Sequence, residues 1–389
     1  MTVAFAQRTE SLRLEGAYQV LARAQELEAR GKDIIHLEIG EPDFPTPANI
    51  GHAAARAIAE GKTHYNPSAG SRELRTLIAE DAGRRRGLSF RAEQVVVSPG
   101  AKPNLFFPAL ALVNPGEEVV YPDPGFPTYE AMIRVTGAVA RPVALLESNG
   151  FSIDRDDLAR LVNARTRLII LNSPGNPTGG VIPQADLEFV AELAQRHDCW
   201  VLSDEIYSRI TFDGHAVPTI AALPGMSERT IVLDGFSKTY AMTGWRLGYG
   251  IMPVALAERV GLLLNHGIGC TAHFTQLAGV EALSGPQDAV DSMVAEFQAR
   301  RDRIVVGLNR LPGVRCLKPQ GAFYVFPNIE ATRLSCEAFA DRMLEGGVAL
   351  LPGTAFGEHG KGHVRLAFTN SGANIDRALQ RMQAVLSSP

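Results

Sequence analysis

Short segments of continuous apolar residues alternate with helical segments along the middle of this chain. This alternation constrains the fold more than any other feature. A strand that is apolar at successive positions, rather than at every second one, is buried on both faces, as happens when helices cover both sides of a parallel sheet. The sequence therefore predicts an α/β fold with a large domain whose mostly parallel central sheet lies between helices. The predicted strands are Gln94–Ser98, Glu118–Tyr121, Arg167–Asn172, Cys199–Asp204, Thr230–Leu233 and Leu247–Ile251.

The two ends of the chain follow other patterns. Apolar residues at helical spacing predict a helix within the first thirty residues, and a short strand is predicted at Ile34–Ile39. Beyond Gly285 a charged helix (Ala289–Leu311), two strands (Gly321–Pro327 and His363–Thr369) and a final helix are typical of a smaller α+β domain. We therefore expect an N-terminal segment (1–45) that packs with the small domain, a large domain (46–285) and a small C-terminal domain (286–389).

Charge and hydropathy exclude several classes of function. The 38 Lys and Arg residues against 42 Asp and Glu residues leave a net charge of −4, without the basic excess that nucleic acid binding requires. No apolar run approaches the length of a membrane span, and the first residues lack the pattern of a signal peptide. The four cysteines stand far apart, which is typical of reduced thiols. We expect a cytoplasmic protein that binds neither nucleic acid nor membrane.

Two charged motifs receive a structural interpretation. The run Arg84-Arg85-Arg86 is the densest in charge, and a solvated helix end explains it better than a phosphate-binding patch. His359 and His363 are four residues apart, but the glycines between them disfavour a helix, so we expect no metal site there.

The segment 235–246 (GFSKTYAMTGWR) carries the clearest chemical signal. Lys238 follows an apolar strand, and Arg246 comes eight positions later. A lysine that forms a Schiff base must be held on a short rigid segment close to neutrality, and the planar arginine side chain suits a phosphate. Together these needs describe bound pyridoxal phosphate (PLP). An ordinary Ser-Lys pair at the surface is the alternative, and it would be preferred if this segment stood alone.

Polar residues also follow two other predicted strands. Asp204 ends one of them, at the sheet edge where ligands of α/β proteins collect, and its carboxylate could hold a pyridinium nitrogen protonated. Tyr207 could donate a hydrogen bond to the phenolic oxygen of the cofactor. A helix cap and a core residue explain this pair about equally well. The loop 172–180 (NSPGNPTGG) follows another buried strand and projects Asn172 and Asn176 toward the same edge.

Three further candidates have weaker signals. The loop from Ser98 to Lys102 joins a strand to a helix, whose free amides would attract a phosphate. Phe126 could stack on an aromatic cofactor, or could belong to the core. Arg365 lies within an apolar strand, so it needs an anion: a substrate carboxylate or the acid of a structural salt bridge.

Taken together, these segments resemble the class I/II aminotransferases, the PLP enzymes with the fold of aspartate aminotransferase (fold type I). The resemblance runs from about Gly16 to the last helix, and five motifs occur in the order typical of the family. These motifs are EPDF (41–44), HYNPSAG (64–70), NSPGNPTGG (172–180), SDEIY (203–207) and SKTYAMTGWRLG (237–248).

The resemblance implies a role for each matched residue. Lys238 matches the Schiff-base lysine that moves the proton between Cα and the cofactor, and Asp204 matches the partner of the pyridine nitrogen. Arg365 matches the clamp for the α-carboxylate of the substrate, assisted by Asn176 and the Gly40 backbone. Tyr65 matches a residue that reaches the phosphate of the neighbouring subunit, which implies a homodimer with shared active sites. The other cofactor-binding positions implied are Asn172, Asn176 and Tyr207 near the ring, Phe126 stacked on it, and Gly100, Ala101, Lys102, Ser237 and Arg246 around the phosphate.

The substrates are expected to be an L-amino acid and a 2-oxo acid. In the bacterial subgroup that this chain resembles, a lysine at the position of Lys102 helps to bind acidic side chains. We therefore expect glutamate or aspartate as the amino donor, with Arg365 binding one carboxylate and Lys102 the other. Against this, Glu15 and Ala17 replace hydroxyl-bearing residues, and Glu15 would neutralise Lys102 if it faces the same pocket.

Two other functions use the same cofactor cradle. A PLP-dependent C–S β-lyase or another eliminating enzyme differs only in which substrate bond is oriented against the cofactor ring. A PLP-binding regulator would carry a degenerate site, whereas Lys238, Asp204 and Arg365 are all present. We therefore expect a transaminase, with elimination as the alternative.

Overall fold

The computed structural model describes residues 5–10, 12 and 14–387. Short 3₁₀ turns connect several of the elements in this part of the chain. The α-helices are α1 (Gly16–Ala29), α2 (Ala48–Ala59), α3 (Arg72–Arg86), α4 (Pro103–Leu112), α5 (Thr128–Val135), α6 (Arg155–Leu161), α7 (Gln184–Arg196), α8 (Phe236–Thr239), α9 (Val254–Gly267), α10 (His273–Ser284), α11 (Asp288–Leu308), α12 (Cys336–Glu345) and α13 (Gly372–Ser387). The strands are β1 (Ile35–His36), β2 (Val95–Ser98), β3 (Glu118–Asp123), β4 (Val139–Leu146), β5 (Ser152–Ile153), β6 (Thr166–Asn172), β7 (Trp200–Asp204), β8 (Thr230–Gly235), β9 (Gly248–Ile251), β10 (Tyr324–Val325), β11 (Val348–Ala349), β12 (Leu351–Pro352) and β13 (Val364–Ala367).

The central sheet has eight strands in the order β2-β9-β8-β7-β6-β3-β4-β5. Strands β8, β7, β6, β3 and β4 are successively parallel, whereas β9 runs antiparallel to both of its neighbours and β5 runs antiparallel to β4. Successive residues of β6 enter different cores: Leu168 packs in one hydrophobic cluster and Ile169 in another. Both faces of the sheet are therefore buried, which is why its strands are continuously apolar. The predicted α/β fold with a mostly parallel sheet is confirmed.

The two ends of the chain meet in smaller sheets. Strand β1 pairs in parallel with β11, Ile35 opposite Val348, and β13 lies between β10 and β12. Strand β1 is much shorter than the predicted segment Ile34–Ile39, because its pairing extends over only two residues. The pairing nevertheless fixes the chain that follows β1 beside β13, and this brings Gly40 next to the part of the fold that carries Arg365.

The interpretation of the arginine run as a solvated helix end is wrong for two of its three members. Arg84 is exposed, but Arg85 and Arg86 at the end of α3 point into the protein. Nε of Arg86 lies 2.7 Å from a carboxylate oxygen of Glu205, and its Nη2 lies 3.0 Å from Asp234. The run is thus half of a buried ion network, whose acidic half comes from the ends of β7 and β8.

Within residues 5–10, 12 and 14–387, no helix is both long enough and apolar enough to cross a membrane. The same residues hold no group of three or more His, Cys, Asp or Glu side chains that could bind a metal ion.

Candidate active site

A cavity of about 540 Å³ lies at the carboxyl ends of β6, β7 and β8. Parallel α/β sheets bind ligands at this edge, because the loops that follow neighbouring strands converge there. All of the predicted site residues except Gly100 and Tyr65 line it: Gly40, Ala101, Lys102, Phe126, Asn172, Asn176, Asp204, Tyr207, Ser237, Lys238, Arg246 and Arg365. The cavity is therefore lined both by residues that follow strands of the central sheet and by residues from near the chain ends, Gly40 and Arg365.

Lys238 projects into this cavity from the short helix α8, directly after β8. Its Nζ donates a hydrogen bond to the carbonyl oxygen of Gly40 at 2.7 Å and lies 5.6 Å from the centroid of the Phe323 ring. Among the described residues, no carboxylate lies within 4 Å of this amine. Burial lowers the pKa of Lys238 to about 8. The pKa therefore lies near neutral pH, and part of the amine is uncharged there, as imine formation requires.

Asp204 ends β7 and is almost completely buried. The hydroxyl of Tyr129 donates to one carboxylate oxygen at 2.7 Å, and the amide of Ile206 donates to the other at 3.2 Å. In the described part of the chain, no Lys, Arg or His forms an ion pair with this carboxylate. Burial raises the pKa of Asp204 to about 7. A cation delivered into the cavity would stabilise the charged form, and a pyridinium nitrogen is such a cation.

The asparagines after β6 have different roles in the structure. Asn172 donates to the carbonyl oxygen of Asp204 at 3.0 Å, and its own side-chain oxygen accepts from the amide of Asn176 at 2.8 Å. Asn172 therefore ties two strand ends together and shapes the loop. The side chain of Asn176 is turned toward Arg365, to which it is hydrogen-bonded at 3.1 Å.

Two tyrosines that the sequence did not identify complete this part of the site. Tyr129 holds Asp204, and Tyr324 forms a 2.9 Å hydrogen bond between its hydroxyl and that of Tyr207. Tyr324 lies on β10, in the apolar segment predicted as a strand, where an isolated tyrosine hydroxyl was the only available signal. Tyr129 lies on α5, three residues after Phe126, where its helical spacing resembles that of any core residue.

Arg365 is a buried cation with no acidic partner in the described residues. Its guanidinium donates to Asn176 and to the carbonyl oxygen of Glu38, while its Nε has no hydrogen-bond partner. The rings of Tyr324 and Phe356 lie close to it, with centroids 4.6 and 4.9 Å from the guanidinium carbon. The structural salt bridge considered above is therefore not formed. The site retains a positive charge that a carboxylate of a substrate can neutralise.

Arg246 also lines the cavity and has a backbone φ of 54°. Its Nη1 donates to the carbonyl oxygen of Thr243 at 2.7 Å. Gly100 does not line the cavity but lies directly against Arg246, since a Cβ at this glycine would come within 2.1 Å of Nη2. Gly100 also has a φ of 79°, which favours glycine. The close approach places the loop before α4 beside the guanidinium, with Ser237 and Ala101 lining the cavity nearby.

Tyr65 does not line the cavity of its own chain and is 95% exposed. A second open cavity of about 670 Å³ adjoins the first, with Arg246, Thr243 and Gly244 in both walls.

The side chain of Lys102 forms an ion pair with Glu15, the residue directly before α1. The hydroxyl of Thr128 donates to the same carboxylate oxygen at 3.3 Å. The ammonium group of Lys102 also lies 5.2 Å from the centroid of the Phe126 ring. Glu15 therefore faces the cavity, which was the condition for the neutralisation of Lys102.

These observations fit PLP. The cofactor requires an amine near neutrality, an anion for its pyridine nitrogen and a cation for its phosphate. Lys238, Asp204 and Arg246 supply these groups around one cavity, and neither Lys238 nor Asp204 has a counter-ion within the described residues.

Comparison with known proteins gives an independent assignment. The family model described as aminotransferase class I and II matches residues 32–382. An arginine–pyruvate transaminase of Pseudomonas aeruginosa is 41% identical over 94% of this chain and 92% of that protein. An aspartate aminotransferase of Pyrococcus horikoshii is 38% identical over 95% of this chain and 93% of its own length. The structure of a Thermus thermophilus aspartate aminotransferase with maleate superposes with a TM-score of 0.94 at 36% identity, covering 99% of this chain and 100% of that chain.

Proposed function

The chain belongs to the class I and II aminotransferases and is a PLP-dependent transaminase; on this basis we propose that Lys238 carries the cofactor and Arg365 binds the substrate carboxylate. The observation that supports this most strongly is the state of the Lys238 amine. It faces the cavity, it has no carboxylate within 4 Å among the described residues, and burial lowers its pKa to about 8. With this pKa, the uncharged fraction of the amine at neutral pH is large enough for it to act as a nucleophile.

The other residues hold the reactants. Arg365 binds the α-carboxylate, with Asn176 and the Gly40 segment beside it, and so fixes which Cα bond faces the cofactor. Asp204, held by Tyr129, would keep a positive charge at the pyridine nitrogen, and Arg246, Ser237, Ala101 and Gly100 would hold the phosphate. Tyr207 and Asn176 would contact the phenolic oxygen, and Phe126 and Asn172 line the same cavity.

When bound, PLP delocalises the negative charge that develops at the substrate Cα and carries the amino group from the donor to the 2-oxo acid. With the cofactor bound, Nζ of Lys238 would take up the proton from the substrate Cα and deliver it to the C4′ carbon of the cofactor, and the reverse for the acceptor. The amine can do both because its pKa lies near the working pH.

Borohydride reduction of the PLP-loaded protein, followed by peptide mapping, tests the assignment of Lys238. We expect the label on Lys238, and Lys238→Arg should remove it. A label on any other lysine would refute the assignment. A screen of amino acids for conversion of the cofactor to its amino form then identifies the donors, and release of ammonia in the same screen detects elimination.

We also propose a homodimer with shared active sites. Tyr65 is 95% exposed, which is unusual for so large a ring, and the open cavity of about 670 Å³ beside Arg246 offers a place for a neighbouring subunit. Two inactive variants, Tyr65→Ala and Lys238→Ala, should then regain part of the activity when they are mixed and refolded. An active monomer in sedimentation experiments would contradict the proposal.

The domain boundaries (1–45, 46–285 and 286–389) and the cytoplasmic location remain proposals as well. The pairing of β1 with β11 supports packing of the N-terminal segment with the small domain. Residues 1–4, 11, 13, 388 and 389 of these domains lie outside the described residues. Limited proteolysis would test the boundaries, and cell fractionation the location.

A further inference from the structure

The ion pair between Glu15 and Lys102 lies where the side chain of a substrate would enter the cavity. Both residues line the cavity together with Ala17, Tyr18 and Phe126. Lys102 is half-exposed, and Glu15 is more buried than Lys102. The hydroxyl of Thr128 also donates to Glu15, so the same carboxylate oxygen accepts from both Lys102 and Thr128.

Among the residues that the structure describes, the charges that line the cavity leave no second cation for an acidic side chain. Once the cofactor occupies Lys238 and Arg246, and the α-carboxylate occupies Arg365, the remaining cation is Lys102, which Glu15 neutralises. The basic residues that line the cavity are Lys102, Lys238, Arg246 and Arg365, and the acidic ones are Glu15, Glu41 and Asp204.

The charge of Glu15 also acts deeper in the site. Burial lowers the pKa of Arg365, and the negative charge of Glu15 acts on the same group in the opposite direction. When a substrate is bound to Arg365, a second carboxylate at its far end would therefore be repelled by the negative charge of Glu15, which also occupies Lys102.

We infer that Glu15 is a specificity-determining residue that excludes dicarboxylic substrates, so that this transaminase takes donors whose side chains carry no negative charge. The inference rests on the proposed function of Arg365 as the clamp for the α-carboxylate. Glutamate and aspartate must displace Glu15 from Lys102 before their second carboxylate is neutralised, whereas an uncharged side chain leaves the pair intact. Like charges in a partly desolvated site are strongly disfavoured, and this is how the discrimination arises.

The same rule applies to the acceptor. Donor and acceptor occupy the same cavity in turn, since both present a carboxylate to Arg365 and a reacting carbon to Lys238. The acceptor is therefore a monocarboxylic 2-oxo acid, and 2-oxoglutarate and oxaloacetate are disfavoured along with the amino acids that correspond to them.

The test compares wild type with Glu15→Gln by their kcat/KM values for glutamate, aspartate, alanine and leucine. We expect wild type to favour the uncharged donors by more than tenfold, and Glu15→Gln to raise the ratio of acidic to uncharged donors by at least tenfold. The double variant Glu15→Gln/Lys102→Met should lose most of that gain, because the freed cation is removed. Glu26→Gln, an exposed change on α1, is the matched control and should leave the ratio as in wild type.

A binding measurement separates this inference from the proposed function. Calorimetry with the PLP-loaded protein should give about tenfold tighter binding of succinate in Glu15→Gln than in wild type, with butyrate affected much less. If the borohydride label falls on a lysine other than Lys238, the proposed function fails while the succinate measurement still decides the role of Glu15. If transamination occurs but Glu15→Gln changes neither the donor ratio nor the succinate affinity, the inference is overturned.

Discussion

The substitution Asp204→Asn removes the buried carboxylate charge while preserving the shape of the side chain. The side-chain amide oxygen that the substitution introduces can still accept a hydrogen bond, so the surroundings formed by Tyr129 and Ile206 remain largely intact. Without the anion, the pyridine nitrogen of the cofactor loses the partner that keeps it protonated. We expect kcat for transamination to fall by about 10²–10³, the size of effect typical when one preorganised electrostatic contact is lost.

The same substitution should change how the cofactor-free protein responds to pH. Burial raises the pKa of Asp204 from 3.8 to about 7. Between about pH 4 and pH 7 the folded protein therefore holds a proton on Asp204 that the unfolded chain has released. The free energy of unfolding consequently falls as the pH rises through this range. At about 1.4 kcal/mol per pH unit, this corresponds to about 4 kcal/mol. The asparagine variant lacks this contribution, so above pH 7 its cofactor-free form should be the more stable of the two.

Urea unfolding of the cofactor-free proteins at pH 5 and pH 8, followed by circular dichroism, measures this difference. Wild type should lose about 2.5 kcal/mol more than Asp204→Asn between the two pH values, since part of the effect already lies below pH 5. Bound cofactor should reduce the difference, because the pyridinium charge stabilises the carboxylate. Asp156→Asn, an exposed change on α6, is the control and should alter the free energy of unfolding by less than about 0.5 kcal/mol. Identical pH slopes in wild type and Asp204→Asn, or a kcat near that of wild type, would refute the reasoning.

Three further substitutions test other parts of the structure. Arg365→Gln should raise KM for every donor by about 30-fold or more, because truncating one partner of a buried charge pair costs about 2–5 kcal/mol; steady-state kinetics would show an unchanged KM if the clamp is elsewhere. Arg86→Met leaves the buried carboxylate of Asp234 with less compensation and should lower the free energy of unfolding by about 3–5 kcal/mol, and a loss below about 1 kcal/mol would exclude a structural role for the network. Gly100→Ala should weaken PLP binding in a fluorescence titration, since its Cβ would displace Arg246; wild-type affinity would mean that the close approach is unimportant.

The elements that the sequence predicted well are those whose pattern is local. The charged helix expected at Ala289–Leu311 is α11, which occupies Asp288–Leu308, because the pattern that predicts it lies within the helix itself. Six of the eight strands of the central sheet were predicted, since burial on both faces leaves a continuous apolar run. Strands β4 and β5 were missed, because Arg141 and Pro142 interrupt the apolar run of β4 and β5 is only two residues long. Predicted strands at the chain ends are longer than the observed ones, because strand length there depends on the partner and not on the residues alone.

Interactions between distant parts of the chain were not predictable from local patterns. The neighbours of Arg86 in sequence are arginines, which indicated a solvated surface, but its acidic partners lie 119 and 148 residues away. Tyr129 was missed for the same reason, because its hydroxyl contacts a carboxylate 75 residues further along the chain. The sequence could not predict that Glu15 pairs with Lys102, since no local pattern determines which part of the fold residue 15 contacts. Residues that belong to motifs, such as Lys238 and Asp204, lie around one cavity, because each motif directly follows a strand of the central sheet.

The attachment of Arg365 to the carbonyl oxygen of Glu38 joins two residues that are 327 positions apart in sequence. During synthesis, Lys238 and Asp204 leave the ribosome well before Arg365 does, and the segment that carries Glu38 waits for its partner until translation is almost complete. The substrate-binding half of the site therefore forms after the residues that hold the cofactor are available.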